Sequence, residues 1–301
     1  MAHVGVVVVG SLNVDLHLWL ERHPLPGETL LAGGGTLSPG GKGANQACAA
    51  ALAGAPTAML GAVGSDDSRH TALRLLSEAG VDIDHVLQLP GPTGLAVVSV
   101  ASDGENTVVV VSGANAQVSV QHAEQWAALI RAADIVVSQG EIPAEVTERV
   151  ARMVQGRWLL NLAPVIDLAP DVIRRADPLV VNEHEAEAVL RQLGAEAAGP
   201  EALVAALRDQ GVASVVLTLG AQGALVARDA GVARVGTPHV RAVDTVGAGD
   251  AFVGALAARL SEGVDLVAAA EYAARFAAYT VQFEGAQSSY PAPGTPLPEL
   301  T

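Results

Sequence analysis

The sequence predicts a three-layer αβα fold built on a mainly parallel central sheet, with a small antiparallel β lid. Three patterns predict it. Short apolar runs rich in Val and Leu recur along the 301 residues, and such continuous runs are how strands covered on both faces read. Alanine-rich segments with helical spacing lie between them, and strand alternating with helix implies right-handed crossovers and a parallel sheet. Two stretches break the rhythm with strand-like runs and no helix.

The first apolar run, residues 4–9, closes on Gly10, and further strands are expected at 58–63, 135–138, 158–162, 179–181 and 214–219. Helices are expected at 45–53, 68–79, 144–154, 183–193, 200–210 and 251–260. Runs at 95–101 and 107–112 flank Ser102-Asp103-Gly104-Glu105-Asn106, which reads as a hairpin with a glycine-containing turn. Together with 16–37 this hairpin belongs to the lid. The expected division is an α/β domain of residues 1–12, 38–92 and 113–301, with 13–37 and 93–112 as lid. The proline-rich segment 291–301 is expected to be a loose terminus.

Half of the chain is apolar but only 3% is aromatic, so the core must be built from Ala, Val and Leu. The formal charge of −15 argues against a nucleic-acid or anionic-membrane surface, since both need a basic patch. It leaves room for ATP, because a phosphate site needs only local donors. Cys48 is the single cysteine, so neither an intrachain disulfide nor a cysteine zinc cage can form. The eight histidines show no HxH or HExxH spacing. With no basic leader and no long apolar stretch, a cytoplasmic location is expected.

Three segments carry chemistry. Asp244-Thr245-Val246-Gly247-Ala248-Gly249-Asp250 precedes an alanine-rich helix. Its glycines let backbone N–H groups converge where the helix N-terminus adds partial positive charge, a site suited to a phosphoryl group. Asp250 is placed to take a proton from a hydroxyl at that point; alone, it would read equally as an N-cap. Ser38-Pro39-Gly40-Gly41-Lys42-Gly43-Ala44-Asn45-Gln46 looks like a Walker A loop, but Gly41 intervenes before the lysine and Gly43 replaces the Ser or Thr. A turn presenting N–H groups, Lys42 and Asn45 suits a polyol instead. Val9-Gly10-Ser11-Leu12-Asn13 lacks the GxGxxG fingerprint, and offers Asn13 and Asp15 at a strand's carboxyl end, where α/β proteins bind ligands.

Taken in order, Gly10-Ser11-Leu12-Asn13-Val14-Asp15, Gly40-Gly41-Lys42-Gly43-Ala44-Asn45-Gln46, Asn182-Glu183-His184-Glu185, Thr218-Leu219-Gly220 with Gly223, and 244–250 resemble the ribokinase-like family, also called the phosphofructokinase-B family of carbohydrate kinases. The resemblance covers about residues 4–290. It implies ATP-dependent phosphorylation of a sugar hydroxymethyl group; the GGKGANQ wording and Gly285-Ala286-Gln287 point to D-ribose, giving D-ribose 5-phosphate. It also implies roles. Asn13, Asp15, Gly41, Lys42, Gly43, Asn45 and Glu141 would hold the sugar. Asp250 would be the base, with Gly247, Ala248 and Gly249 as the anion hole. Asn182 and Glu185 match the family's NxxE motif, which sets water-coordinated Mg²⁺ against the phosphates. Thr218, Gly220 and Gly223 would line the nucleotide groove. A K⁺ site would comprise Asp244, Ser289 and the carbonyls of Val246, Thr280, Phe283 and Gly285. Family members resemble one another in pairing through the lid, so a homodimer is expected.

Two departures stand out. Asn161-Leu162-Ala163-Pro164 lacks the first proline of the family's NPAP, which is expected to loosen that loop. In the helical segment 266–281 no side chain is obviously set to stack on adenine, and the adenine contacts stay unassigned. Rival substrates within the family are fructose, 2-keto-3-deoxygluconate and nucleosides. A rival of another class is a non-catalytic sugar-binding regulator on the same fold, against which the intact Asp250 and its glycines argue.

Overall fold

A computed structural model describes residues 5–103 and 105–300; Val4 of the first expected strand and Gly104 of the expected hairpin turn lie outside them. The strands in chain order are β1 (Val6–Val9), β2 (Asn13–Leu20), β3 (Gly34–Gly40), β4 (Thr57–Leu60), β5 (Ala62–Val63), β6 (Leu87–Gln88), β7 (Gly94–Ala101), β8 (Asn106–Val111), β9 (Ile135–Ser138), β10 (Arg157–Asn161), β11 (Leu179–Asn182), β12 (Val215–Thr218), β13 (Ala224–Arg228) and β14 (Gly231–Val235). Eight of them form the central sheet in the order β14-β13-β12-β11-β10-β9-β1-β4. It is parallel from β4 through β12 and ends in the antiparallel hairpin β13–β14. That hairpin does not follow from strand–helix alternation, so the sequence pattern does not announce it.

The two faces of β1 show why these runs become strands. Val6 and Val8 point into one core and Val7 and Val9 into the other, as a period of two requires. On the first side lie the helices Lys42–Leu52, Ala248–Ser261 and Leu266–Thr280; on the other lie Ala144–Met153, Glu183–Gln192 and Pro200–Asp209. Small residues let the helices of the first side approach closely. A Cβ added at Gly254 would press on the backbone of Gln46 and come within 2.6 Å of the Ala49 Cβ, so the helix carrying Asp250 lies directly on the helix carrying Asn45 and Gln46.

The expected run 58–63 is broken at Gly61 into β4 and β5. A Cβ at Gly61 would meet the Gly10 carbonyl and the Leu12 side chain, so the break admits the turn that leaves β1. Beyond that turn β2, β3, β7 and β8 form a separate four-stranded sheet in the order β3-β2-β7-β8. Its outer pairings are antiparallel and its central pair, β2–β7, is parallel. Trp19, Leu37 and Val108 through Val111 are exposed on it.

The segment 291–300 is docked rather than loose. Arg275 donates to the carbonyls of Pro298 and Leu297, at 2.7 and 3.1 Å, and Leu297 and Leu300 pack on the core. Nor is the 161–164 loop loosened: Leu162 is fully buried, and the Gly140 N–H donates to the Ala163 carbonyl at 3.2 Å. No helix among the described residues is long and apolar enough to cross a membrane.

Candidate active site

The carboxyl ends of the parallel strands and the root of the four-stranded sheet meet around Asp250. Register places Asn13 opposite Gly40 and Gly94, and Asp15 opposite Ser38 and Ala96. Two residues apart on one strand, Asn13 and Asp15 share a face. Asn13 Oδ1 accepts from Asn115 Nδ2 at 2.8 Å, and Asn115 also bonds the Leu12 N–H and carbonyl, pinning the β1–β2 junction. Gly40 is needed beside Asp15, because any Cβ there would occupy the carboxylate's position. Glu141 Oε2 accepts from Ser11 Oγ at 2.5 Å and from the Lys42 N–H at 3.0 Å.

Gly41, at φ 88°, turns the chain into the helix Lys42–Leu52. The Gly43 N–H donates to Ser11 Oγ at 3.2 Å, and a Cβ on Gly43 would come within 2.5 Å of the Ser11 nitrogen. Gly43 thus lets this helix pack on the end of β1, beside the residues named for the sugar. Lys42 lies among Asp250, Glu141, Glu185 and Asp15; these carboxylates, Asp250 foremost, raise its pKa against the opposing effect of burial. Burial pushes the Asp15 carboxyl up to about 7, helped by the charges of Glu141 and Asp250.

The helix Ala248–Ser261 begins three residues before the sequence suggested. Its N-cap is Gly247, at φ 73°, with no side-chain cap. Asp250 is therefore the third helical residue and not a cap. Its carboxylate is turned inward, 7% exposed, and accepts from Asn45 Nδ2 and Gln46 Nε2, each at 2.9 Å. The Ala248 N–H reaches back to the Thr245 carbonyl at 3.2 Å. For the Gly249 and Asp250 amides the helix supplies no carbonyl four residues back. A Cβ on Gly249 would find no atom within 4 Å, whereas one on Gly247 would meet the Ala286 Cβ at 2.5 Å.

Two cavities bear on the site, and this turn lines the first of them. One, of about 400 Å³, is lined by Thr218, Gly220, Gly223, Ala248 and Gly249, with small residues Ala274, Ala277 and Ala278 on its helical wall. His239 and Phe252 are the aromatic rings on its lining; His239 stands in an irregular segment after β14, where the sequence gives no sign of it. The other, of about 420 Å³, is lined by Asn13, Asn115 and Glu141 and runs along Val110, Ile142, Pro143 and Ile166.

Asn182 ends β11 opposite Thr218 and caps the helix Glu183–Gln192: its Oδ1 accepts from the Glu185 N–H at 2.9 Å, and Glu185 Oε2 accepts the Asn182 N–H at 2.8 Å. Burial raises the Glu185 pKa, while Lys42 lowers it. Among the described residues no three His, Cys, Asp or Glu side chains converge on one point. That donor set fits an ion carried mainly by phosphates and water, as Mg²⁺ is beside a single carboxylate, and does not fit a caged metal. Asp244 ties two segments together, accepting from the Val246 N–H at 2.9 Å and the Gly285 N–H at 2.8 Å. Thr280 and Ser289, on either side of Gly285 in the chain, are buried, and Phe283 is exposed.

The chain matches the pfkB family carbohydrate kinase profile over residues 5–293, and it belongs to that family. A ribokinase of Schizosaccharomyces pombe is 36% identical, over 96% of this chain and 95% of that one. The crystal structure of a ribokinase from Thermotoga maritima superposes with a TM-score of 0.90 at 32% identity, covering 96% of each chain. An Arabidopsis thaliana ribokinase complexed with ribose and ATP superposes with a TM-score of 0.86 at 32% identity, again over 96% of each.

Proposed function

We propose that this chain transfers the γ-phosphoryl group of ATP to the hydroxymethyl oxygen of D-ribose, giving D-ribose 5-phosphate and ADP. One observation carries the reading. The Asp250 carboxylate is not spent on capping but held inward by Asn45 and Gln46, at a glycine-rich helix start whose Ala248 and Gly249 line one groove with Thr218, Gly220 and Gly223. Asn13, Asp15, Gly41, Lys42, Asn45 and Glu141 hold the sugar hydroxyls. Asp250 takes the hydroxymethyl proton as that oxygen attacks phosphorus and the bond to the departing ADP oxygen breaks. The 247–249 turn faces the spreading negative charge. Catalysis of this kind is mostly positioning and electrostatics.

Asn182 and Glu185 are the residues that would hold a water-coordinated Mg²⁺, which when bound neutralises phosphate charge. Asp244, Ser289 and the carbonyls of Val246, Thr280, Phe283 and Gly285 would hold K⁺, which adds fixed positive charge beside the turn. The sheet β3-β2-β7-β8 acts as a lid that excludes water. Its exposed valine edge pairs with a second copy, since an open apolar edge is a template for pairing. The protein works in the cytoplasm.

ATP consumption against a panel of sugars and nucleosides tests the substrate: fastest turnover on ribose is expected. Asp250→Asn should abolish it, and near-normal phosphorylation by that variant would remove Asp250 as base. Equal rates in K⁺ and in a bulky organic cation would remove the cation site, and a monomer in sedimentation at assay concentration would remove the dimer. A second reading has one observation in its favour. The sugar-side cavity continues past Asn13 and Glu141 along Val110, Ile142 and Ile166, apolar cover that would suit the base of a nucleoside. Faster turnover on a nucleoside than on ribose would establish it.

A further inference from the structure

Each oxygen of the Asp250 carboxylate receives one side-chain amide, and each amide is oriented by another behind it. Gln46 Nε2 donates to Asp250 Oδ1 at 2.9 Å, and Gln139 Nε2 donates to Gln46 Oε1 at 2.7 Å. Asn45 Nδ2 donates to Asp250 Oδ2 at 2.9 Å, and Gln287 Nε2 donates to Asn45 Oδ1 at 2.9 Å. A branch runs from Gln46 Nε2 to Asn161 Oδ1 at 2.9 Å, with Asn161 Nδ2 donating to the Val180 carbonyl at 3.0 Å. All five amides are buried.

The direction of these chains is not arbitrary. An ionised carboxylate only accepts, so Asn45 and Gln46 must turn their NH₂ groups to Asp250. Their oxygens then face outward and need donors, which Gln287 and Gln139 supply. The cost appears at the far ends: Gln139 Oε1 and Gln287 Oε1 are buried and have no hydrogen-bond partner. A buried oxygen without a partner is destabilising, and this fold carries one at the end of each chain. Flipping an outer amide would give its oxygen no better place, but would set oxygen against oxygen at Gln46 or Asn45. Were an inner amide to flip, a carbonyl oxygen would face the carboxylate and favour a proton between them, and a base that already holds a proton cannot take one.

We propose that Gln139 and Gln287 are positioning residues for the phosphoryl transfer. Acting through Gln46 and Asn45, they lock the polarity of the amides around Asp250 so that its carboxylate meets only donors. Of its roughly four lone-pair sites, two are filled this way and the others are left for the sugar hydroxyl. The inference rests on Asp250 being the base.

The test compares Gln139→Glu with Gln139→Met, and Gln287→Glu with Gln287→Met, in the full-length protein with ATP and ribose. A carboxylate at either outer position cannot donate; it draws the inner NH₂ toward itself and turns the inner oxygen to Asp250. Methionine removes the outer donor but leaves Asp250 free to orient the inner amide itself. The expected result is a kcat lower by roughly 10- to 100-fold in each Glu variant, the range of one hydrogen bond to a charged group. KM for ribose and ATP should stay within about twofold and the Met variants should retain within about threefold of the normal kcat, smaller than the loss of that bond. A purely structural role predicts instead that kcat falls only in step with Tm, since a buried carboxylate is itself destabilising, so Tm is measured beside kcat and a kcat loss fully matched by lost folding counts against the lock. Met variants at least as impaired as the Glu variants, or an unchanged kcat throughout, would overturn the proposal. If a Glu variant does not fold, the double variant Gln139→Met/Gln287→Met decides. A further fall in kcat, to about tenfold below normal, supports the lock, and an unchanged kcat overturns it. Asp250→Asn is measured alongside. Activity in that variant would sink the base itself, whereas its inactivity beside normal Gln139 and Gln287 variants would sink only the lock.

Discussion

Gly249→Ala separates what the 247–250 turn does for folding from what it does for a phosphoryl group. Beyond its chain neighbours and its own helix backbone the added methyl finds no atom within 4 Å, and Gly249 is already helical in the first turn of Ala248–Ser261. Replacing glycine by alanine within a helix stabilises by up to about 1 kcal/mol, so Tm should hold or rise by roughly 2 °C for a chain of this size. Gly249 does, however, line the groove with Thr218 and Gly220, so on the phosphoryl-transfer reading the methyl crowds the N–H donors of this turn. A phosphoryl oxygen kept from one such donor loses about 2.7–4 kcal/mol of transition-state stabilisation, or 10²–10³ in kcat. The measurements are Tm by calorimetry and kcat by ADP release. A Gly249→Ala protein with normal kcat would refute the assignment of this turn to phosphoryl transfer; a fall in Tm matching the loss of activity would refute the separation. The contrast is Gly247→Ala, where φ 73° and the Ala286 Cβ at 2.5 Å predict loss of both.

Gly254→Ala should reduce stability by about 1–3 kcal/mol through overpacking against Gln46 and Ala49, partly offset by helix propensity; because it levers Asp250 away from Asn45 and Gln46, kcat should fall with Tm. Asp15, raised to about 7, binds more protons folded than unfolded between its ordinary value and 7, so its contribution to stability is full below the unfolded pKa and lost as pH rises through about 7. Asp15→Asn should therefore raise Tm relative to the unaltered protein at pH 8, with the gap closing toward pH 5, while sugar affinity falls. Ribose hydroxyls donating to the Asp15 carboxylate favour its charged form, so sugar binding near pH 7 should release a proton, read from calorimetry in buffers of different ionisation enthalpy. Asn115→Ala should raise KM for ribose with a smaller effect on kcat, because Asn115 fixes Asn13 Oδ1 and the Leu12 backbone but not Asp250.

Strands buried on both faces were the most legible elements. Ile135–Ser138 falls where its apolar run predicts, since such a run in so alanine-rich a chain has few other places to go. Helix starts were less legible. The helices beginning at Lys42 and Ala248 start three residues earlier than their periodicity suggests, because glycine-containing turns have poor intrinsic propensity and are made helical by packing against β1 and each other. That shift matters chemically, for it moves Asp250 from a capping position to an inward one. Within the site, Asn13, Asp15, Lys42, Asn45 and Asp250 stood in recognisable motifs. Gln139 and Asn115 did not, and Asn161 stood in one only as the first residue of 161–164, with no role given to its side chain. Each is a single polar residue in or after an apolar stretch, and only the third dimension shows which amide faces which. The one signal available is position: Gln139 and Asn161 stand at the carboxyl ends of β9 and β10, where ligands of α/β sheets gather.

That Lys42 stands among the charges of Asp250, Glu141, Glu185 and Asp15 has a kinetic consequence. On a chain of formal charge −15, an anionic nucleotide diffuses toward a surface of its own sign, so long-range forces slow the encounter instead of steering it. Added salt shortens the reach of that repulsion, to about 10 Å at 0.1 M. Nucleotide capture should therefore quicken as ionic strength rises from a few millimolar, opposite to the behaviour of enzymes that draw phosphates in with a basic funnel. Capture of ribose, which carries no charge, should be indifferent to the same change.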